Sequence, residues 1–243
     1  MLKVIILIPA YNEEHSLERV VGHLTSMWPD FDYLILNDCS TDNTEAICIK
    51  NRFHYVSQPI NLGIGCNVQT GYQYACKNGY DIAIQMDGDD QHDPAYLQGL
   101  IDPIVNGQAD MVIGSRFITN EGFQTSFTRR IGIRFFKILI RILCGQTIAD
   151  ATSGFRACSR DMIRFFSENY AQDYPEPEAV IASLRSGYTV MEVPVIMKER
   201  LTGVSSISPF KSLYYMIKVT IAMLLSVIKP RLKNRTVELG ENA

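Results

Sequence analysis

The first half of the chain carries two apolar patterns in alternation. Nearly continuous apolar runs at residues 3–8, 33–37, 54–57, 81–86 and 110–114 are separated by stretches whose apolar positions recur at helical spacing. Such runs predict short strands, and strands alternating with helices predict a mostly parallel central sheet flanked by crossover helices. The helix starts are marked as well. Asn12 precedes Glu13 and Glu14, Asp42 stands where a capping box with Glu45 would need it, and Asp93 precedes Pro94 at a first helical position.

After residue 115 this alternation stops, and two longer segments mix cations with apolar residues, at 127–144 and 209–229. Arg130, Arg134, Lys137 and Arg141 share one helical face of the first, and Lys211, Lys218 and Lys229 a narrow stripe of the second. Neither has the roughly 20 uninterrupted apolar residues of a bilayer span. Each reads as a bundle helix with one wet edge or as a helix lying in the plane of a membrane. The two readings agree if the helices pack together and expose one flank.

With 243 residues, 47% hydrophobic and 20% charged, the chain predicts one domain with a C-terminal amphipathic appendage. A net charge of −3 and a pI near 5.8 give no electrostatic case for a nucleic-acid partner, so any basic surface is local. The six cysteines are irregularly spaced, without CxxC or a His pair at zinc-ligand spacing, and read as reduced cytosolic thiols. The apolar start, MLKVIILIPAYNEE, is too short for a signal-peptide core and reads as a first strand.

The candidate chemistry gathers in residues 81–94, DIAIQMDGDDQHDP, where a buried-looking run ends in Asp87, Asp89, Asp90 and Asp93. Two carboxylates about 4 Å apart repel by roughly 4 kcal/mol at an effective dielectric of about 20, so a positive partner is expected. A divalent cation bound by Asp87 and Asp89 and completed by substrate phosphates fits, with Gly88 allowing close backbone approach. The plain alternative is a solvated acidic turn. An EF-hand does not fit, because His92 and Gln98 stand where Gly and Glu are needed. In open parallel sheets ligands bind beyond the carboxyl ends of the strands, where PAYNEE (residues 9–14) and NDCSTDNT (37–44) also fall. Capping accounts for Asn12, Asp42 and Asp93 but not for Asp38, Asp87 or Asp89. NLGIGCN (61–67) lacks a dinucleotide fingerprint and reads as a loop closing over the nucleotide edge. The four histidines, His92 included, lack partners at ligand spacing and read as surface or structural.

PAYNEE, NDCSTDNT, NLGIG, MDGDDQHDP, MVIGSRF and DATSGFR occur in the order seen in family 2 glycosyltransferases. The sequence resembles most the dolichyl-phosphate mannose synthase group, which makes polyprenyl-phosphate sugars, over roughly residues 3–200. The resemblance implies a GT-A fold, a nucleotide-sugar donor (a UDP-sugar or GDP-sugar) and inversion at the anomeric carbon. It implies base and ribose contacts at Pro9, Tyr11 and Glu13, a base-reading carboxylate at Asp38, and a metal and diphosphate site at Asp87, Asp89 and Gln91 holding Mg2+ or Mn2+. The cation supplies the missing positive charge and promotes loss of the diphosphate.

The acceptor side offers two chemistries. A sugar hydroxyl needs a carboxylate base, for which Asp173, Glu176 and Glu178 of DYPEPE are candidates. A phosphate monoester is already anionic and needs cations. Arg116 of GSRF, Arg130, Arg134, and Ser153 with Arg156 of SGFR are candidates for holding it, against structural ion pairs or a solvated face. The expected function is transfer of a sugar to polyprenyl phosphate by a peripheral enzyme at the cytoplasmic face of the cell membrane. Extension of a lipid-linked or surface glycan and a non-catalytic nucleotide-sugar-binding subunit are the alternatives. The expected organisation is a catalytic domain over 1–208, with a nucleotide-binding half to about 115 and an acceptor half over 116–208. An amphipathic helix over 209–229 would contact a membrane, a small membrane subunit or a second copy of the chain, and a tail over 230–243 would be disordered.

Overall fold

The computed structural model describes residues 2–119, 127–198 and 218–225, with backbone alone for 127–131. Its strands are β1 (Val4–Ala10), β2 (Asp32–Asn37), β3 (Tyr55–Ser57), β4 (Ile82–Gln85), β5 (Met111–Ser115), β6 (Arg156–Ser159) and β7 (Val190–Pro194). They form one sheet in the order β3-β2-β1-β4-β6-β5-β7, parallel except for β6, which runs antiparallel to both neighbours. The helices are α1 (Leu17–Met27), α2 (Thr44–Asn51), α3 (Ile64–Lys77), α4 (Leu97–Val105), α5 (Phe127–Cys144), α6 (Arg160–Glu168) and α7 (Pro175–Arg185). The α/β expectation and the five early strands hold, each boundary within two residues.

β1 is buried along its whole length because both sheet faces are covered. Ile5 and Leu7 point into one core with Tyr72 of α3 and Phe166 of α6. Val4, Ile6 and Ile8 point into the other with Leu17 and Leu24 of α1 and Leu100 of α4. A strand sandwiched in this way reads as a continuous apolar run, because both faces of its two-residue repeat are apolar. Chain order reverses between β1 and β4, which opens a crevice where their carboxyl ends diverge.

Two helix-start expectations need correction. Asn12 does not cap α1, whose N-cap position is Ser16; Asn12 has φ 58° and its Oδ1 accepts from the Thr41 amide at 2.8 Å. The capping box at Asp42 does not form, since Asn43 occupies the N-cap of α2 and Glu45 instead accepts from the Ser57 hydroxyl. In both places the short polar side chains tie one loop to another. Asp93 behaves as expected and accepts from the Ala95 amide at 3.0 Å.

α5 spans the segment expected to be helical. Ile133, Phe136 and Ile140 enter the core, whereas Arg134, Lys137, Arg141, Phe135, Ile138 and Ile142 are exposed. Residues 218–225 are helical, with Val219 and Met223 in the same core cluster as Phe136 and Ile140, and Lys218, Ile221, Leu224 and Leu225 exposed. Each is thus half bundle helix and half exposed apolar face. Lys211, Lys229, the side chain of Arg130 and the expected tail lie outside the described residues. Among the described residues no helix is long and apolar enough to cross a membrane.

Candidate active site

Three loops meet at the carboxyl ends of β1, β2 and β4. The Asp38 amide donates to the Ala10 carbonyl at 3.0 Å, and the Gly88 amide to the Pro9 carbonyl at 3.2 Å. Side chains then lace the first two loops together: the Asn12 amide donates to Ser40 Oγ, the Glu13 amide to Thr44 Oγ1, and the Glu14 amide to Asp42 Oδ2. Glu13 accepts from the Ser16 hydroxyl at 2.8 Å, and Tyr11 projects with 47% of its surface exposed. Pro9 lies in the buried strand and contributes its carbonyl. Polar side chains at the strand ends therefore tie the first two loops together, and Tyr11 beside them is exposed.

Asp38 is buried at 4% exposure. Its two oxygens accept from the Leu62 amide at 2.8 Å and the Gly63 amide at 2.9 Å. The expected base-reading carboxylate thereby also anchors the NLGIG loop, so the position of the loop expected to close over the nucleotide edge depends on Asp38. Gly63 has φ 82°, a conformation that favours glycine. A Cβ on Gly65 would lie 2.3 Å from the Gln172 carbonyl oxygen. The missing side chain lets the segment before Asp173 pack on the start of α3.

The acidic turn leaves β4 as a set of separate roles. Gln85 Nε2 donates to Asp87 Oδ1 at 3.2 Å, and the Asp87 amide donates to His92 Nδ1 at 3.0 Å. Asp89 Oδ1 accepts from the Gln91 amide at 3.1 Å. Asp90, with φ 66°, pairs with Arg19 at 2.6 Å, and Asp93 with Lys198 at 3.0 Å. Asp90 and Asp93 thus each have a cationic partner from the protein. Burial raises the Asp93 carboxyl, but bonds from the Ala95 amide and Lys198 outweigh it and hold it below the usual range.

Among the described residues no three His, Cys, Asp or Glu side chains converge as a complete metal cage. Asp87 and Asp89 offer hard oxygen donors of the kind Mg2+ or Mn2+ takes when substrate phosphates supply the remaining ligands. A Cβ on Gly154 would lie 2.9 Å from Asp87 Oδ2, so the glycine keeps room beside that carboxylate. The donor set fits the expected metal. Gln91 sits beside it, its Nε2 donating to the Lys198 carbonyl at 3.2 Å.

The arginines expected to hold an acceptor phosphate divide. Arg116 is 8% exposed and grips the fully buried Asp150 through Nε at 2.7 Å and Nη2 at 2.8 Å, joining GSRF to DATSGFR. Asp150 and Ala149 in turn donate their amides to Glu192 of β7. Arg156 is wholly buried, and Nε, Nη1 and Nη2 donate to the carbonyls of Ser153, Glu176 and Ala151. Ser153 is buried too, its hydroxyl accepting from the Phe155 amide. Three of the five Arg156 N–H donors are thus taken by backbone carbonyls, and with both side chains buried Arg156 and Ser153 have structural partners beside the substrate contact expected of them. The ion pair of Arg116 is the structural partnership weighed against its phosphate-binding expectation. Arg134 is exposed, as a phosphate contact requires.

Asp173 lies exposed in the loop before α7, whose first turn carries Glu176 and Glu178. Sequence reasoning missed Asp150 and Gly154, and of its two readings of His92, surface or structural, the buried ring fits the second. Asp150 was legible in principle, as an acid followed closely by small and apolar residues, but nothing in the linear order paired it with Arg116.

The mostly parallel seven-stranded sheet with flanking helices is a GT-A fold. Glucosyl-3-phosphoglycerate synthase from Mycobacterium tuberculosis, solved with Mn2+, UDP-glucose and phosphoglyceric acid, superposes with a TM-score of 0.71 at 20% identity, covering 94% of this chain and 81% of that one. The same enzyme with Mg2+ and UDP superposes with a TM-score of 0.68 at 22% identity, covering 93% and 79%. The chain belongs to glycosyl transferase family 2, whose model matches residues 5–166. Among curated relatives it is 28% identical over 219 residues to polyprenol monophosphomannose synthase of Mycolicibacterium smegmatis, covering 85% of this chain and 81% of that protein. It is 29% identical over 216 residues to undecaprenyl-phosphate mannosyltransferase of Micrococcus luteus, covering 85% and 88%. A third relative, the UDP-N-acetylglucosamine–dolichyl-phosphate N-acetylglucosaminyltransferase of Methanococcus voltae, is 29% identical over 212 residues, covering 79% and 84%.

Proposed function

We propose that this family 2 glycosyltransferase moves a hexose from a UDP-sugar or GDP-sugar to polyprenyl phosphate, with inversion, at the cytoplasmic face of a membrane. One observation carries the acceptor: the three relatives are named for two sugars, mannose in two and N-acetylglucosamine in the third, but for the same class of acceptor, a polyprenyl phosphate. Asp87 and Asp89 would hold Mg2+ or Mn2+ against the donor diphosphate, where the cation's charge eases departure of the nucleoside diphosphate. An acceptor phosphate oxygen forms the new bond to the anomeric carbon while the bond from that carbon to the diphosphate oxygen breaks. The phosphate is already anionic near neutral pH, so no carboxylate has to remove a proton, and Asp173, Glu176 and Glu178 are left without that task. Asp38 and the NLGIG loop would receive the base, with Tyr11 and Glu13 at the nucleoside.

Exposed Arg134, Lys137 and Arg141 on α5, flanked by exposed Phe135, Ile138 and Ile142, support a peripheral approach to a lipid headgroup layer. The test is transfer of radiolabelled sugar from a panel of UDP- and GDP-sugars to undecaprenyl phosphate. Metal-dependent label in the organic phase, from one donor in the panel, is the expected result. Label found only in water-soluble or polymeric product would refute the lipid acceptor.

A further inference from the structure

We infer that His92 is a positioning residue for the metal-binding turn, acting through Asp87; the inference rests on the reading of Asp87 as a metal ligand. The imidazole is buried, its side chain 4% exposed, and lies flat on Phe155 with ring centroids 4.7 Å apart and planes 8° from parallel. Its Nδ1 faces the Asp87 amide at 3.0 Å. An amide nitrogen can only donate, so Nδ1 is the acceptor and, in the neutral ring, the proton sits on Nε2. That nitrogen lies 3.9 Å from Asp87 Oδ2, beyond hydrogen-bond distance, with its N–H end on the same side as the carboxylate.

The consequence is that Asp87 is held at two points, by its main chain and by its side chain. His92 fixes its main chain, and Gln85 Nε2 fixes Oδ1 at 3.2 Å. Phe155 in turn fixes the tilt of the imidazole, and Phe155 is the residue after Gly154, the glycine that makes room beside Oδ2. One short stretch of chain therefore sets both the space around the carboxylate and the ring that orients it. Partners of this kind around metal ligands typically govern metal affinity or activity by about 10- to 100-fold. A histidine that only filled space would need the ring but not the acceptor at Nδ1.

The two contributions separate by substitution. His92→Asn keeps an acceptor close to the position of Nδ1 and loses the ring, whereas His92→Phe keeps the ring and loses the acceptor. Mn2+ is titrated calorimetrically into protein saturated with UDP and, separately, with GDP, and the melting temperature is recorded for each variant. His92→Phe is expected to weaken Mn2+ binding by about 10- to 100-fold, with nucleotide affinity measured without metal unchanged. His92→Asn is expected to stay within about threefold of wild type for Mn2+, even if it melts lower. If His92→Phe does not fold, His92→Gln, whose longer amide overshoots the Asp87 N–H, takes its place with the same expected loss. Wild-type Mn2+ affinity in the acceptor-less variant, or equal losses in all variants that track melting temperature, would overturn the positioning role. Asp87→Ala is the control for the underlying reading: if it binds Mn2+ as wild type does, Asp87 is not a ligand and the inference falls with it.

Discussion

A methyl group on Gly154 would lie 2.9 Å from Asp87 Oδ2 and 3.0 Å from Gln85 Nε2. Both are side-chain ends, so they can swing aside without disturbing the sheet. Gly154→Ala is therefore expected to fold with little change in melting temperature while activity falls by about 10- to 100-fold, as for other disturbed partners of a metal ligand. Steady-state kinetics at a series of Mn2+ concentrations checks this, and unchanged activity would mean that Asp87 tolerates displacement. The same scale explains what the sequence could and could not tell. Asp87 and Asp89 stood out because no cap or turn needed them. The backbone partners of Arg156 were not legible, because the three carbonyls that take its donors are brought around it only by the fold.

At the scale of elements, the early strands were legible because burial on both faces leaves a continuous apolar run. β6 was not, because its four residues, RACS, begin with an arginine and end with a serine and so make no apolar run. The turn after β4 is held to the segment beyond β7 by Asp93 and Lys198. The folded-state Asp93 carboxyl lies below its ordinary value, so its contribution to stability is present above the unfolded pKa and is lost as pH falls through the folded one. Asp93→Asn should lower the melting temperature at pH 6 to 7, with the difference from wild type shrinking only as pH falls below the ordinary aspartate value of about 3.9 and through the lower folded one. Parallel melting curves across that range would contradict the assignment. α5 makes a different prediction, because its exposed cations stand among exposed apolar residues. Each basic residue near an anionic leaflet contributes about 1 kcal/mol, screened by salt. The protein should pellet with anionic liposomes at low salt and be released at high salt, and reversal of Arg134, Lys137 and Arg141 to Glu should abolish pelleting. Equal binding to neutral and anionic liposomes would remove the electrostatic part of this account.

Over the whole molecule, three loops at the carboxyl ends of β1, β2 and β4 are brought together by the switch in strand order, and the motifs that identified the family are the ones lacing those loops. GSRF and DATSGFR belong to the same assembly through Arg116 and Asp150, a buried pair whose rupture would cost about 3–5 kcal/mol by leaving one charge uncompensated. That coupling joins residues 34 apart in the chain and was invisible to local pattern. The central claim is that an acceptor phosphate, and not a hydroxyl activated by a carboxylate, attacks the donor sugar. Undecaprenyl phosphate and undecaprenol, offered side by side to wild type, Asp173→Asn and Asp89→Asn with the active nucleotide sugar, test it most directly. The account predicts label in the phosphate alone, substantial transfer by Asp173→Asn, and none by Asp89→Asn, since an amide is a weaker ligand for a hard cation. Label in undecaprenol that disappears in Asp173→Asn would contradict it.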